Sequence, residues 1–357
     1  MVQALRNVQE AAGGQVIPSA TLDAVPSYGN DAIALDAAKT GVALYDASHW
    51  GRIQVAGEDR LRFLHNQTTN TIQMLQPGQG CETVFVTSTA RTIDLVSLYV
   101  QADDIVLLTS PATCDSLTAW MDRFIFPFDK VTLKNITTQT ACFRCIGPQS
   151  LELLSKLGAD SLADLVLNAH TEVKLHDISV RIAAGTGLSL PGYTLWCDVD
   201  GAAEVWTQLC NGGAVPLGET VWERLRIEQG RPVPGQELTE EVNPLEAGLW
   251  HTISFEKGCY IGQETIARLN TYKGVKQQLW GIHLDAIAPL GSKVLLDGES
   301  VGYLTSAVET ETGTIGLAYI RTKAGGSGLA VTVDGVAGRI VDVPYLQHDY
   351  PEPSQTS

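Results

Sequence analysis

The segment richest in residues able to do chemistry is 255–264, which reads Phe-Glu-Lys-Gly-Cys-Tyr-Ile-Gly-Gln-Glu. Residues 263–269 are good helix formers, so we expect a helix to begin there and Cys259 to lie just before its N-terminus. The unsatisfied N–H groups of a helix start, together with Lys257, favour a thiolate and can lower a cysteine pKa from ~8.5 to about 3.5–7.5. The spacing predicts a reactive thiol and, equally, a buried cysteine in a tight turn, because it identifies no histidine base.

Glycines stand at positions 258 and 262, before and after this cysteine. Few other chemical motifs occur in the chain. Gly258 and Gly262 allow close backbone approach. The chain has no Walker loop, no dinucleotide-binding glycine turn, no nucleophile-elbow serine and no His-Glu-x-x-His. Cys142 and Cys145 have a two-residue spacing within an apolar, strand-like run. A buried structural pair is the favoured interpretation, and a redox role is left open. We expect no metal site.

The length, composition and net charge of the chain limit the classes of protein to which it can belong. The chain has 357 residues, enough for two or three domains of roughly 150 each, and its 44% hydrophobic content predicts sizeable cores. Its formal net charge of −16 disfavours nucleic acid and anionic membranes as partners, so an anionic ligand needs a local basic pocket. Seven scattered cysteines indicate a reducing compartment. No apolar run approaches the ~20 residues of a membrane span, and no signal peptide is recognisable.

The elements that must position these residues are mixed. Periodicity predicts a helix over 31–43, a strand–turn–helix unit over 49–64 and a repeat of the scheme from about residue 140. After about residue 275 the chain reads as short strands with Asp297-Gly298 and Asp334-Gly335 turns, which predict a small β-barrel or sandwich. The first ~25 residues are expected to be loosely ordered and the last ~10 to form a tail. The fold class is therefore α+β.

Residues 257–264, Lys-Gly-Cys-Tyr-Ile-Gly-Gln-Glu, match throughout the hallmark of the YgfZ-type folate-binding proteins, which this chain resembles. The resemblance extends to the related glycine-cleavage T-proteins at 45–48, 57–64, 225–230 and 243–248 and over the C-terminal β region. The stretch Thr-Ala-Arg-Thr-Ile-Asp ending at Asp94 is similar to the cyanobacterial and plastid branch.

The resemblance implies a three-domain, T-protein-like fold around a central folate channel, with a discontinuous first domain. We divide the chain into 1–50 (first part of domain 1), 51–138 (domain 2), 139–275 (remainder of domain 1, with the motif), 276–347 (C-terminal β-barrel) and a tail over 348–357.

It also implies site residues. Catalytic roles fall to Cys259, Lys257 and Asp94. Tetrahydrofolate, or a one-carbon derivative of it, would contact Asp94, Tyr193, Arg226, Glu228, Gly258, Tyr260, Gln263, Glu264 and Arg268. For any one arginine near the motif, a surface or interdomain ion pair is the alternative.

Two departures from the T-protein pattern stand out. The residue after Asp94 is Leu95, where T-proteins have a second Asp, and Thr194 replaces a pterin-binding Glu. Both put aminomethyl transfer in doubt and leave folate free to bind differently or more weakly.

The resemblance therefore predicts a tetrahydrofolate-binding protein that supports assembly or repair of iron–sulfur clusters in client enzymes. Its partners would be folate and iron–sulfur client or assembly proteins, and it would act as a monomer in the cytoplasm, or in the plastid stroma if it is a processed plant protein. Whether it is an enzyme stays open. The alternatives are a folate-dependent aminomethyltransferase and a non-catalytic folate-sensing adaptor.

Overall fold

The computed structural model describes residues 2–15 and 24–350, with only the backbone of Val2. Helices and strands are mixed along the chain, so the predicted α+β class is confirmed. The helices are α1 (Val2–Ala11), α2 (Asp31–Thr40), α3 (Arg60–Gln67), α4 (Cys114–Asp122), α5 (Ser150–Lys156), α6 (Ala202–Asn211), α7 (Glu219–Gln229) and α8 (Gln263–Thr271). None of these helices combines the length and apolar character needed to cross a bilayer.

Seventeen strands accompany the helices of the described chain. They are β1 (Ala43–Asp46), β2 (Gly51–Ala56), β3 (Gly80–Val86), β4 (Thr92–Val100), β5 (Asp104–Thr109), β6 (Thr132–Asn135), β7 (Thr140–Ile146), β8 (His170–Leu175), β9 (Ile178–Ala184), β10 (Gly192–Asp198), β11 (Val215–Leu217), β12 (Gln277–Leu284), β13 (Lys293–Leu296), β14 (Glu299–Thr310), β15 (Gly313–Arg321), β16 (Ala330–Val333) and β17 (Val336–Val341).

The chain divides into two compact units, each made of three separate stretches of the sequence. Unit 1 comprises residues up to 64, 72–82 and 96–226, and unit 2 comprises 65–71, 83–95 and 227 onwards. The segment boundaries expected from the sequence near residues 50, 138 and 275 stay predictions.

Unit 1 is built on a six-stranded sheet in the order β11-β1-β7-β10-β9-β8. Side chains alternate between its two faces, as a pleated strand requires. One face packs against apolar residues of α1, α5 and α6, and the other against α2 and α7. Cys145 belongs to the first of these cores and Cys142 to the second. The two cysteines therefore lie on opposite faces of β7, where they cannot bridge each other.

The expectation of a loosely ordered N-terminus is wrong for residues 2–11, which form α1. Leu5 is buried in the core of unit 1, and the Arg6 guanidinium lies 2.9 Å from the Asp46 carboxylate. Gln9 Nε2 also donates to that carboxylate, at 2.8 Å. Sequence periodicity missed this helix because two of its buried residues are polar. The rest of the predicted loose segment, 16–23, lies outside the described residues.

Unit 2 contains the predicted C-terminal barrel. Six strands close in the order β12-β15-β14-β13-β16-β17, with β17 paired back to β12. At the Asp297-Gly298 and Asp334-Gly335 turns all four residues have positive φ, as two-residue hairpin turns require. Beyond the barrel, the His348 ring stacks on Trp280 with centroids 3.5 Å apart. Residues 351–357 of the predicted tail lie outside the described residues.

Candidate functional site

Lys257 is the buried cationic centre of the motif. Its ammonium donates to three backbone carbonyls of residues 65–70: His65 O at 2.5 Å, Thr68 O at 2.7 Å and Asn70 O at 2.7 Å. These residues comprise the end of α3 and the turn after it, and we call them the 65–70 loop. The same nitrogen lies 4.7 Å from the centroid of the Tyr260 ring, a cation–π contact. Burial, and secondarily the Lys257 charge, lowers the pKa of His65. The charge predicted to act on Cys259 is thus held by main-chain oxygens.

Cys259 is exposed, whereas the other six cysteines, all within the described residues, are buried or half-buried. The alternative of a buried cysteine in a tight turn is therefore wrong. A Cβ at the neighbouring Gly258 would meet no described atom within 4 Å, so the close approach that this glycine permits is not used. We call residues 257–262 the Cys259 turn. Gly258 and Cys259, which form its tip, are both exposed.

The far side of the Cys259 turn is anchored. Tyr260 is buried in an apolar cluster with Trp250 and Ile266, and burial raises the pKa of its hydroxyl. Ile261 N–H donates to Asn66 O at 3.0 Å, so this side also contacts the 65–70 loop. Both ends of the turn are therefore fixed to one loop, and the thiol lies between them.

Helix α8 begins at Gln263, four residues after the cysteine, as predicted. Gly262 caps it with φ +82°, a left-handed conformation that favours glycine. Gln263 Nε2 donates back to Lys257 O at 3.3 Å. Glu264 and Arg268, on the same helix, are exposed. The structure thus brings together six of the predicted residues in one turn and helix start, with Arg268 one turn further on.

Asp94 lies on β4, next to the hairpin turn over 87–91. This turn closes with Thr87 N–H donating to Arg91 O at 2.8 Å. Ala90, at its tip, belongs to the same apolar cluster as Tyr260. The Asp94 side chain is fully buried, and Leu95 is packed in a separate apolar core. The hairpin that carries Asp94 therefore packs on the Cys259 turn, and Leu95 serves the hydrophobic core.

Two other predicted residues belong to unit 1. Tyr193 is half-buried on β10, and burial raises its pKa. Arg226, on α7, is fully buried, and its Nε donates to Glu223 at 2.8 Å. Arg226 is thus ion-paired, but within helix α7 and with its guanidinium buried, and not in the surface or interdomain pair of the stated alternative. Thr194, at the position of the missing carboxylate, donates its hydroxyl to Gly185 O at 2.8 Å.

The remaining members of the set lie in unit 2. Glu228 is half-buried on α7. Arg231, two residues after the end of α7, is buried and donates to the Tyr345 hydroxyl at 2.9 Å. The Arg231 guanidinium is thus hydrogen-bonded within unit 2.

Sequence reasoning missed a buried aromatic cluster in unit 1. The Arg144 guanidinium lies 4.0 Å from the ring of Trp50 and 4.4 Å from that of Trp222. Tyr45 stacks on Trp222 at 4.5 Å and donates to Glu219 at 2.6 Å. Burial raises the pKa of Glu219. Core packing is the ordinary role of a tryptophan on an apolar helix face, and the arginine of this cluster comes from β7, far away in sequence.

No group of three or more metal-ligating side chains occurs among residues 2–15 and 24–350. The Cys259 turn itself presents one exposed thiol between two anchored residues, Lys257 and Ile261. An exposed thiol can act as a nucleophile or as a soft metal ligand.

Comparisons with known proteins extend these findings. Residues 5–257 match the model of the GCVT N-terminal domain family. A chloroplastic candidate transferase of Arabidopsis thaliana is 45% identical over 336 residues, which cover 93% of this chain and 78% of the relative. An aminomethyltransferase of Picosynechococcus sp. is 28% identical over 337 residues, 92% of each chain.

Among solved structures, aminomethyltransferase T of the glycine cleavage system from Bartonella henselae aligns with a TM-score of 0.84 at 18% identity. The alignment covers 98% of this chain and 99% of that one. The predicted T-protein-like fold is therefore confirmed. With the family model matching most of its length, the chain belongs to the GCVT family of glycine-cleavage T-protein relatives.

Proposed function

We propose that this protein is a tetrahydrofolate-binding member of the YgfZ type that supports assembly or repair of iron–sulfur clusters in client enzymes, with Cys259 as its reactive group. One observation carries the proposal: within the Lys-Gly-Cys-Tyr-Ile-Gly-Gln-Glu motif, the Cys259 thiol is exposed while Lys257 before it and Tyr260 after it are buried. A cysteine that served only to fill the hydrophobic core would be buried.

The residues present suit a reduced folate by their chemistry. The buried Asp94 carboxylate can accept from pterin N–H groups, a charge-assisted bond. The folate tail carries carboxylates and needs a cation. Arg226 is already bonded to Glu223, whereas Arg268 is exposed on α8. We therefore favour Arg268 over Arg226 for the tail, and keep Tyr193 and Glu228 as proposed contacts. When bound, the folate would supply a carrier for one-carbon groups.

Cys259 would contribute a thiolate toward the iron–sulfur cluster, which is the substrate here. Iron–sulfur clusters are held by cysteine thiolates, so a protein thiolate on an exposed turn can offer iron a ligand of the kind that the client provides. The anchored turn would keep this group accessible to a macromolecule.

The second candidate is a folate-dependent aminomethyltransferase, which the names of several relatives favour. Leu95 and Thr194 argue against it, because neither supplies the carboxylate of the T-protein pattern. A non-catalytic folate-sensing adaptor is the third, and would be indifferent to replacement of Cys259.

We also propose where the protein acts and with what. The free cysteines suit a reducing compartment. The cytoplasm, or the plastid stroma in a plant setting, is such a compartment. Its partners would be folate and iron–sulfur client or assembly proteins. The protein would act on them as a monomer.

The deciding experiment is complementation. Cells lacking this protein would receive wild type, Cys259→Ser or the matched control Cys210→Ser, and activities of iron–sulfur enzymes would be measured. We expect wild type and Cys210→Ser to restore activity and Cys259→Ser to fail. Reduced-folate binding should be similar in all three. Full complementation by Cys259→Ser would favour the adaptor, and no folate binding by wild type would reject the proposal.

A further inference from the structure

We infer that Lys257 is a positioning residue: it fixes the Cys259 turn to the 65–70 loop, and its charge is compensated by that loop. The inference rests on the proposed function only in that Cys259 is the group being positioned. It differs from the sequence-based expectation, in which the Lys257 charge acts on the thiol itself.

The first step is the match between donors and acceptors. An ammonium group has three N–H donors. Lys257 Nζ meets three carbonyl oxygens at 2.5–2.7 Å, and the residue is only 9% exposed. Carbonyls of His65, Thr68 and Asn70 thus saturate its donors. A buried charge needs such partners, so the cage accounts for the placement of the lysine.

The second step is the rigidity of the cage. Thr69 N–H donates to Val84 O at 3.2 Å, and Ser254 N–H donates to Thr69 O at 3.0 Å. Asn70 N–H donates to the Thr83 hydroxyl at 3.0 Å. The 65–70 loop is therefore held by β3 and by the segment before the motif. Its carbonyls are arranged by these bonds.

The third step is the bracketing of the thiol. Lys257 precedes the tip of the turn, and Ile261, bonded to Asn66 O, follows it. The tip itself has no close neighbour at Gly258. With both anchors on one loop, the three intervening residues have little freedom. Loss of the Lys257 anchor would free the tip and weaken the Ile261 anchor beside it.

The test compares variants that separate charge from geometry. Lys257→Met removes the charge and the donors. Lys257→Arg keeps the charge, but its planar guanidinium cannot match three converging carbonyls as an ammonium does. Lys276→Met, at an exposed lysine, is the control. Folding would be verified by circular dichroism. The readouts are hydrogen exchange at the Ile261 amide and the pH profile of iodoacetamide reaction at Cys259.

We expect both Lys257 variants to increase exchange at Ile261 at least tenfold, with Lys276→Met unchanged. The alkylation rate at Cys259 should approach that of a free peptide of residues 255–264. Wild-type exchange and alkylation in Lys257→Arg would overturn the inference. A profile displaced to higher pH only in Lys257→Met would also overturn it, because charge would then be the cause. If Lys257→Met does not fold, Lys257→Arg decides alone.

These readouts need neither folate nor a client enzyme. Full complementation by Cys259→Ser would reject the proposed function and leave the exchange result intact. Normal exchange in the variants, with Cys259→Ser still inactive, would reject the positioning role alone.

Discussion

Gly262 lies against the backbone of Thr87: a Cβ at position 262 would stand 2.7 Å from the Thr87 carbonyl oxygen. The same atom would stand 3.1 Å from Cα of Ala90. The start of α8 and the hairpin that carries Asp94 are thus in direct backbone contact. This contact explains the second glycine of the motif in physical terms.

Replacing Gly262 by alanine should therefore destabilise the protein. The left-handed φ of +82° costs a non-glycine residue about 1–2 kcal/mol, and the close approach to Thr87 adds to this. We expect a loss of about 2–3 kcal/mol in the free energy of unfolding, measured by urea denaturation. Gly258→Ala, with open space around it, should change stability by less than about 0.5 kcal/mol. Equal losses in the two variants would contradict the assignment.

Much of the site could be predicted from the sequence because it depends on local rules. The helix-forming run after Gly262 placed the start of α8, and hence the cysteine ahead of it. The Asp297-Gly298 and Asp334-Gly335 dipeptides predicted barrel hairpins because both residues of such a turn need positive φ.

The rest could not be predicted because it depends on partners distant in sequence. The acceptors of Lys257 are backbone carbonyls about 190 positions away, and a carbonyl leaves no mark on residue type. Helix α1 was missed for a similar reason, since the partner of Arg6 is Asp46. Gly258 shows the limit of residue type: a glycine permits a close contact, and at this position the fold makes none.

Aminomethyl transfer should be negligible. Leu95 is packed in an apolar core and Thr194 bonds a carbonyl, so two acidic groups of the T-protein pattern are missing. Loss of positioned acid–base groups typically costs about 10²–10⁴ in rate. Wild-type protein would be incubated with aminomethylated lipoyl carrier protein and tetrahydrofolate, beside a T-protein as positive control. Robust formation of methylene-tetrahydrofolate and ammonia would instead establish the aminomethyltransferase.

Stability should fall in mild acid through His170. Its Nε2 bonds Val100 O at 2.8 Å, and burial lowers its pKa to about 4. The unfolded chain binds this proton near pH 6.5, so it holds more protons than the folded chain between pH 6.5 and 4. The stability present above pH 6.5 is therefore lost as pH falls, by about 1–2 kcal/mol at pH 5.

The check is urea denaturation of wild type and His170→Gln at pH 7 and pH 5. The difference between the two pH values should shrink by that amount in His170→Gln. His176→Gln, at an exposed histidine, should behave as wild type. If all three proteins lose the same stability between these pH values, the acid sensitivity lies elsewhere.

Cys259 should be the first of the seven thiols to be alkylated. It is exposed, whereas burial raises the pKa of Cys197 and of Cys210 to about 12. Because the thiolate is the reacting species, these two cysteines are disfavoured by both access and ionisation. Limited treatment of the native protein with iodoacetamide, followed by peptide mass analysis, should find label at Cys259 before Cys210.

Serine at position 259 keeps the size of the side chain while its alkoxide is far less accessible at neutral pH. Cys259→Ser should therefore abolish the early label and leave the urea transition unchanged, since no packing contact is lost at an exposed site. Equal labelling of Cys259 and Cys210 in the native protein would show that exposure does not govern reactivity here, and would remove the main support for Cys259 as the reactive group.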